Sequence, residues 1–275
     1  LPELPEVETV RRGLDSLTQG QTIQGGLVLL SRTVAHPVSV AEFCQGVQGR
    51  TIVSWHRRGK YLLGKLDRGW LGIHLRMTGQ LLWCHRHSPL QKHARLRLFF
   101  PEDKELRFVD IRTFGKVWLV DEEEPEKVIT GLQKLGPEPF GKDFTIEYLA
   151  QKLAKSNRCL KTLLLDQGLV AGIGNIYADE ALFRSGIKPE AIASHLNLTQ
   201  IENLRTAIIE VLQKAIEEGG TTFSDFLNLM GVNGNYGGVA WVYGRGGQPC
   251  RVCGTGIEKI KLGGRSTHFC PQCQS

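Results

Sequence analysis

Two Cys-x-x-Cys pairs close the chain, Cys250-Arg-Val-Cys253 and Cys270-Pro-Gln-Cys273, with sixteen residues between them. Each pair aims two sulfurs at one point. Together they supply four thiolates, the tetrahedral set that a structural zinc ion prefers. No other feature constrains the fold as much. A hairpin of this size has too little apolar surface to fold alone and takes its folding free energy from the metal. Disulfides fit less well, because no signal-like segment precedes the cysteines and zinc needs no oxidising compartment. A thioredoxin-type redox pair fits worse still, since one motif would suffice and the βαβ context is missing.

The surroundings of these cysteines point to a polyanion. From Gly231 to Ser275 there are five basic residues (Arg245, Arg251, Lys259, Lys261, Arg265) and one acidic residue, Glu258. Arg265 follows Gly263-Gly264 between the two cysteine pairs. A Gly-Gly-Arg tip on a metal-pinned hairpin brings backbone and guanidinium close to a phosphate. A lone Arg would more simply be a solvated loop residue; the zinc staple, the glycines and the basic excess together favour nucleic acid. The whole chain agrees, with 275 residues, a net charge of +6 and a pI near 9.0. No apolar run approaches transmembrane length. Cys44, Cys84 and Cys159 remain outside the metal set and read as ordinary small apolar residues of a protein in a reducing cytosol.

Length and patterning predict two domains of an α+β fold. Pro5, Glu6 and Glu8 open a helix whose apolar positions Val7, Val10, Leu14 and Leu17 recur at helical spacing, and Gly20 ends it. From Thr22 to about Val120 the pattern reads as strands: Thr51 to His56, Tyr61 to Leu66, the alternating Ala94, Leu96, Leu98 and Phe100, and Leu106 to Val109 after the turn at Pro101-Glu-Asp-Lys104. Close-spaced strands and tight turns imply antiparallel sheets in a sandwich or flattened barrel. Asp121 to Glu126 is a solvated acidic loop. Leu135-Gly-Pro-Glu-Pro139 breaks all periodicity and marks a linker. Four helical segments follow, Ile146 to Ala154, Leu160 to Asp166, Ile176 to Arg184 and Thr199 to Glu218. The Gly168–Asn175 turn between the second and third is no dinucleotide fingerprint, since it follows a helix and Tyr177 stands where a third glycine is wanted. Two helices joined by such a turn resemble a helix-turn-helix relative, with amides able to hold backbone phosphate. The domains are therefore placed at 1–133 (β-sandwich), 134–145 (linker), 146–240 (helical) and 241–275 (zinc finger).

The amino terminus, Leu1-Pro2-Glu3-Leu4-Pro5-Glu6-Val7-Glu8, carries more than a helix start. Pro5 and the acids serve the helix, but Pro2 is not required by it. An amino-terminal proline offers a secondary amine that forms a charged iminium with a sugar aldehyde carbon. A neighbouring carboxylate can shuttle protons.

Taken with Pro2-Glu-Leu-Pro-Glu-Val-Glu-Thr-Val-Arg11, the motifs His74-Leu-Arg-Met77-Thr-Gly79, Asp110-Ile-Arg112-Thr-Phe114-Gly115, Asp166–Glu180 and the Cys250–Cys273 finger resemble the bacterial formamidopyrimidine-DNA glycosylases, which are 8-oxoguanine glycosylase/AP lyases. The resemblance runs from one terminus to the other, in family order. Endonuclease VIII, a sister family, shares the start but reads Pro-Glu-Gly-Pro-Glu; Leu4 favours the formamidopyrimidine branch.

The resemblance implies an antiparallel β-sandwich bearing a catalytic amino-terminal helix, a helix–two-turn–helix domain with a zinc finger, and DNA in the cleft between them. It implies that the Pro2 nitrogen attacks C1′ of a damaged nucleotide, displaces the oxidised purine, and supports β- and δ-elimination through the iminium. Glu3 is then the acid/base at the sugar oxygen, Glu6 orients the amino-terminal site, and Lys60 holds phosphate near the lesion. Because the base must leave the stack, Met77, Arg112 and Phe114 fill the vacated space, an assignment their residue types suit. Asn175 and Arg265 grip backbone phosphate, and His74 either assists or is satisfied structurally. The implied partner is double-stranded DNA with oxidised bases or abasic sites, bound by a monomeric cytoplasmic enzyme holding one Zn(2+) through Cys250, Cys253, Cys270 and Cys273. Two alternatives stay open. One is an endonuclease VIII-like enzyme for oxidised pyrimidines. The other is a DNA-binding module without chemistry, which follows if Leu1 acylates Pro2. The Ser224–Val239 stretch, with four glycines, reads as a mobile loop, and the resemblance implies that it closes over the flipped base.

Overall fold

Helix α1 (Leu4–Thr18) begins where the residues write a helix start, with Glu3 as N-cap, Pro5 in the first turn and Glu6 at the positive end of the backbone dipole. Val7, Val10 and Leu14 repeat at three- and four-residue spacing and are fully buried. The structure is a computed structural model that describes residues 2–221 and 228–275. Whether Leu1 stays on Pro2, and the 224–227 part of the glycine-bearing stretch, lie outside the described residues.

The chain divides into two compact units, Leu1–Gln133 with Gly219–Gly234, and Lys134–Glu218 with Asn235–Ser275. In the first, β1 (Gly25–Val28), β6 (Gly79–His85), β7 (Ala94–Phe99) and β8 (Lys104–Asp110) form a four-stranded sheet in the order β1-β7-β8-β6. A five-stranded sheet has the order β2-β9-β5-β4-β3, built from β2 (Val34–His36), β3 (Ile52–Arg58), β4 (Tyr61–Leu66), β5 (Trp70–His74) and β9 (Lys116–Val120). Leu96, Leu98 and Phe108 of one sheet share a core with Leu62, Leu71 and Ile73 of the other and with Val10 and Leu14 of α1. Each such side chain contributes roughly 1.5–3 kcal/mol on burial, and this common core makes the unit a sandwich.

Two details of the strand reading need correction. Val40–Val47 is a helix, α2, inside the region read as strands. Its N-cap Ser39 accepts from the Glu42 amide, and Phe43 and Val47, four apart, are fully buried. The sheets are also not wholly antiparallel: β2 pairs with β9 in parallel. The chain leaves β1 through the 3-10 turn Ser31–Thr33, changes sheet, and arrives at the edge beside β9. The acidic run at 121–126 is a surface segment with partners, since Arg50 bonds Asp121 and Lys65 bonds Glu123.

The second unit holds α3 (Ile146–Leu153), α4 (Leu160–Leu164), α5 (Asn175–Arg184), α6 (Leu198–Glu217), the short α7 (Tyr236–Val239) and the hairpin β10 (Glu258–Leu262) with β11 (Arg265–Phe269). The Leu135–Pro139 segment lies against the turn that precedes α5: Gly136 N–H donates to Gln167 O and Ala171 N–H to Pro137 O. Gln167 clamps that turn from within, donating to Ile173 O and accepting from Gly172 N–H. Of the stretch read as a mobile loop, residues 228–234 are tied to the first unit. Trp83 N–H donates to Leu229 O at 2.9 Å, and Leu229 lies so close to Gly13 that a Cβ there would sit 2.8 Å from it. Tyr236 opens α7 and is buried in the second unit. Among the described residues no helix is long and apolar enough to cross a membrane.

Candidate active site and metal centre

Pro2 and Glu3 are buried ahead of α1. Glu6 fixes them. One carboxylate oxygen accepts the Glu3 N–H at 2.8 Å and the other accepts the Thr221 N–H at 2.9 Å. Glu6 is fully buried, so both bonds form away from water. Gly220 has φ +85°, and a Cβ there would lie 3.0 Å from a Glu6 oxygen. The positive φ favours glycine, and a side chain there would also crowd the Glu6 carboxylate. Thr221 and Gly220 escaped the sequence reading because nothing local marks residues that act 215 positions away from their partner.

Lys60 sits in the two-residue turn from β3 to β4. Glu8, on the half-buried flank of α1, holds Arg57, and Arg57 donates to the Gly59 carbonyl at 3.0 Å. The helix that starts behind Pro2 is thereby linked to the turn that carries Lys60. The Glu8 carboxyl sits below its ordinary value: burial pushes it up, but Arg11, Arg12 and Arg57 outweigh burial.

His74 ends β5. Its Nδ1 accepts the Arg76 N–H at 3.0 Å, which assigns the ring proton to Nε2, and its ring meets Tyr61 edge-on at 4.4 Å. Burial, with the positive charges of Arg76 and Lys60, pushes its pKa down to about 3. The folded protein therefore refuses a proton that the unfolded chain accepts near pH 6.5. Stability is expected to fall as pH drops below that value, until about pH 3, by at most about 1.4 kcal/mol per pH unit. Chemical denaturation from about pH 7 to about pH 4 should show a steeper loss for the native sequence than for His74→Gln, and equal slopes would refute it.

Met77 and the Arg112–Phe114 pair lie on two neighbouring loops, 75–78 and 111–115. Met77 is half-buried. Arg112 and Phe114 are exposed, with the guanidinium 5.1 Å from the ring centroid. Arg112 N–H donates to Thr78 Oγ1 at 3.0 Å, which joins the loops. An exposed Phe is unusual on a sandwich that has a core to fill, and it separates this residue from the packing role its type usually has.

Asn175 and Arg265 come together in the second unit. Asn175 opens α5, and its amide donates to the Ser266 carbonyl, next to Arg265, at 2.9 Å. The Gly263-Gly264 turn takes φ +52° and +77°, and Thr162 lies 2.8 Å from where a Gly263 Cβ would stand. Beneath them is a network the sequence reading missed. Fully buried Lys161 donates to the Asn175 carbonyl at 2.7 Å and to Asp179 at 2.5 Å. The other Asp179 oxygen accepts the His268 backbone N–H at 2.9 Å. Glu180, also fully buried, accepts from Tyr236 Oη and from the N–H groups of Trp241, Val242 and Tyr243. Burial pushes its pKa up against the pull of those four donors. Adjacent acids inside an apolar helix were the available signal, since such residues are rarely buried without partners.

The four cysteine sulfurs lie within 4.8 Å of one another. Cys253 and Cys270 are 3.5 Å apart, Cys250 and Cys273 3.8 Å. A tetrahedron of sulfurs about 2.3 Å from zinc has edges near 3.8 Å, so the cage fits one zinc ion. Backbone N–H groups of Val252 and Cys273 point at Cys250 and Cys270 sulfurs, each at 3.4 Å, as suits thiolates.

Comparison with known proteins agrees with this geometry. The formamidopyrimidine-DNA glycosylase N-terminal domain family matches residues 1–117, its H2TH domain family residues 135–226, and the zinc finger found in FPG and IleRS residues 247–275. A formamidopyrimidine-DNA glycosylase of Nostoc sp. is 62% identical over 282 residues, covering 100% of both chains. That of Crocosphaera subtropica is 65% identical, covering 100% of this chain and 98% of its own. A crystal structure of Lactococcus lactis Fpg (MutM) with Fapy-dG-containing DNA superposes with a TM-score of 0.91 at 40% identity, over 99% of this chain and 100% of that one. The same protein with abasic-site DNA gives 0.91 at 40% identity, over 99% of each.

Proposed function

The chain belongs to the formamidopyrimidine-DNA glycosylase family and is a zinc-finger DNA-repair glycosylase and abasic-site lyase; we propose that its own Pro2, Glu3, Glu6 and Lys60 carry that chemistry on oxidised purines. The Pro2 nitrogen lone pair bonds to C1′, and the base departs with the electrons of the glycosidic bond. Opening of the sugar ring then yields the iminium, and Glu3, beside Pro2, exchanges the proton at the ring oxygen. The iminium acidifies the neighbouring carbon, so the phosphates on both sides leave in turn by β- and δ-elimination. Glu6 keeps the terminus aimed, and Lys60 neutralises phosphate beside the lesion.

Met77, Arg112 and Phe114 occupy the space left by the extruded nucleotide, with Arg112 facing the orphaned cytosine. Asn175 and Arg265 hold backbone phosphate, and zinc, when bound, keeps the finger folded. The partner is duplex DNA carrying oxidised bases or abasic sites, acted on by a monomer in the bacterial cytoplasm or nucleoid.

The observation that carries this reading is the two-sided grip of buried Glu6 on Glu3 and Thr221, because it holds the proline in place without using its nitrogen. Excision rates on duplexes with 8-oxoguanine opposite cytosine and with thymine glycol test the substrate class. We expect the purine lesion to be favoured by about tenfold or more, and a preference for thymine glycol would move the enzyme to the oxidised-pyrimidine class.

A further inference from the structure

The two loops that carry Met77 and the Arg112–Phe114 pair are twin crossovers between the sheets. Loop 75–78 leads from β5 to β6, and loop 111–115 leads from β8 back to β9. At one end His74 pairs with Lys116 in the five-stranded sheet. At the other Gly79 pairs with Asp110 in the four-stranded sheet. Each loop contains a non-glycine residue in the left-handed region, Arg76 at φ +55° next to Met77 and Thr113 at φ +59° between Arg112 and Phe114. Such backbone persists only where the surroundings impose it.

One carboxylate and one hydroxyl tie the two loops together. Asp110, 1% exposed, accepts from Thr78 Oγ1 at 2.5 Å through one oxygen and from Gly115 N–H at 2.7 Å through the other. Thr78 Oγ1 in turn accepts the Arg112 N–H at 3.0 Å. The hydroxyl, carried by the 75–78 loop, thus donates to the base of the 111–115 loop and accepts from that same loop's tip. Gly115 has no room for a side chain, since a Cβ would lie 2.3 Å from Phe108 and 3.1 Å from Asp110. Both loops are therefore fixed to one buried anion.

We propose that Thr78 and Asp110 are positioning residues that lock Met77, Arg112 and Phe114 into a single insertion unit, so that the identity of the base opposite the lesion is read only while the lock is closed. This rests on the reading of those three residues as the ones that enter the duplex. Thr78→Val keeps the shape and removes both hydrogen bonds, and Thr78→Ser keeps the hydroxyl. Arg112→Ala tests the underlying reading separately.

Single-turnover excision of 8-oxoguanine opposite cytosine and opposite adenine, and cleavage of a preformed abasic site, would be measured for all three with thermal melting. For Thr78→Val we expect excision opposite cytosine to fall by about tenfold or more and the cytosine-to-adenine ratio to collapse, as for Arg112→Ala. Abasic-site cleavage should stay within about threefold of the unaltered protein, and Thr78→Ser should restore the ratio. If Thr78→Val keeps the ratio while Arg112→Ala loses it, the lock is refuted and the insertion reading stands. If Arg112→Ala also keeps the ratio, both fall. A parallel loss of abasic-site cleavage in Thr78→Val would mark a general structural defect and refute positioning.

Discussion

A protein whose chain starts at Pro2 is expected to become covalently joined to abasic-site DNA when borohydride is present, and one with any residue retained ahead of Pro2 is not. Borohydride reduces an iminium to a stable amine, so the trapped species reports the bond between the proline nitrogen and C1′. An acylated proline has its lone pair delocalised into the amide and cannot form that bond. Base excision and strand cleavage should fall by at least about 10³-fold, the scale on which loss of a nucleophile is felt. DNA affinity should change by no more than about threefold, because the proposed phosphate contacts lie elsewhere on the chain. Peptide mapping of the trapped complex must place the DNA on Pro2. A crosslink mapped to Lys60, or trapping undiminished by a retained residue, would overturn the assignment. Glu6→Gln gives a graded control: an amide side chain still accepts one of the two N–H groups, at Glu3 or Thr221, through its single oxygen.

How far the residues alone reach depends on whether the chemistry is local. The zinc cage was legible because two Cys-x-x-Cys pairs carry their geometry in their spacing, and the sulfurs lie together as that spacing requires. Helix α1 was legible because Pro5, Glu6 and the buried Val7, Val10 and Leu14 state a start and a face. The strands read at Thr51–His56 and Tyr61–Leu66 follow from the short turn between them, although the first runs on to Arg58. Helix α2 is written as plainly, in Ser39-x-x-Glu42 and in Phe43 and Val47, but strand signals on both sides mask it. Contacts between distant positions were not legible. Thr221 bonds Glu6, His268 bonds Asp179, and Thr78 bonds Asp110, yet none of these residues announces its partner. Each joins separate elements, and only the fold brings them together. The polar groups that position the proposed site are therefore less visible in sequence than the groups that touch substrate.

That distinction bears on the metal. Removing zinc is expected to weaken DNA binding strongly, through the loss of positioning as well as of the finger itself. Among the described residues, the buried apolar cluster around the cysteines is Phe183, Val242, Cys250, Ile257 and Cys270, with half-buried Trp241 and Cys273 packed against it. A core this small cannot offset the entropy of ordering the hairpin, whereas a structural zinc site supplies on the order of 10–16 kcal/mol. Once β10 and β11 unravel, Asp179 loses its His268 partner and Asn175 loses the Ser266 carbonyl. Lys161 and Asp179 then form a buried pair with one side open to water, and the α5 start that presents Asn175 is no longer braced. Chelation should release one zinc per chain, change the fluorescence of Trp241, which stacks on Phe183 at 5.7 Å, and weaken duplex binding by about 100-fold or more at fixed salt. Cys270→Ser should behave alike. Asp179→Asn, with zinc retained, should reproduce part of the affinity loss, because it weakens the brace without opening the cage. Tight duplex binding by fully zinc-free protein would show that the finger is not a DNA contact. Unaltered binding by zinc-replete Asp179→Asn would show that the buried network beneath Asn175 and Arg265 does not position them.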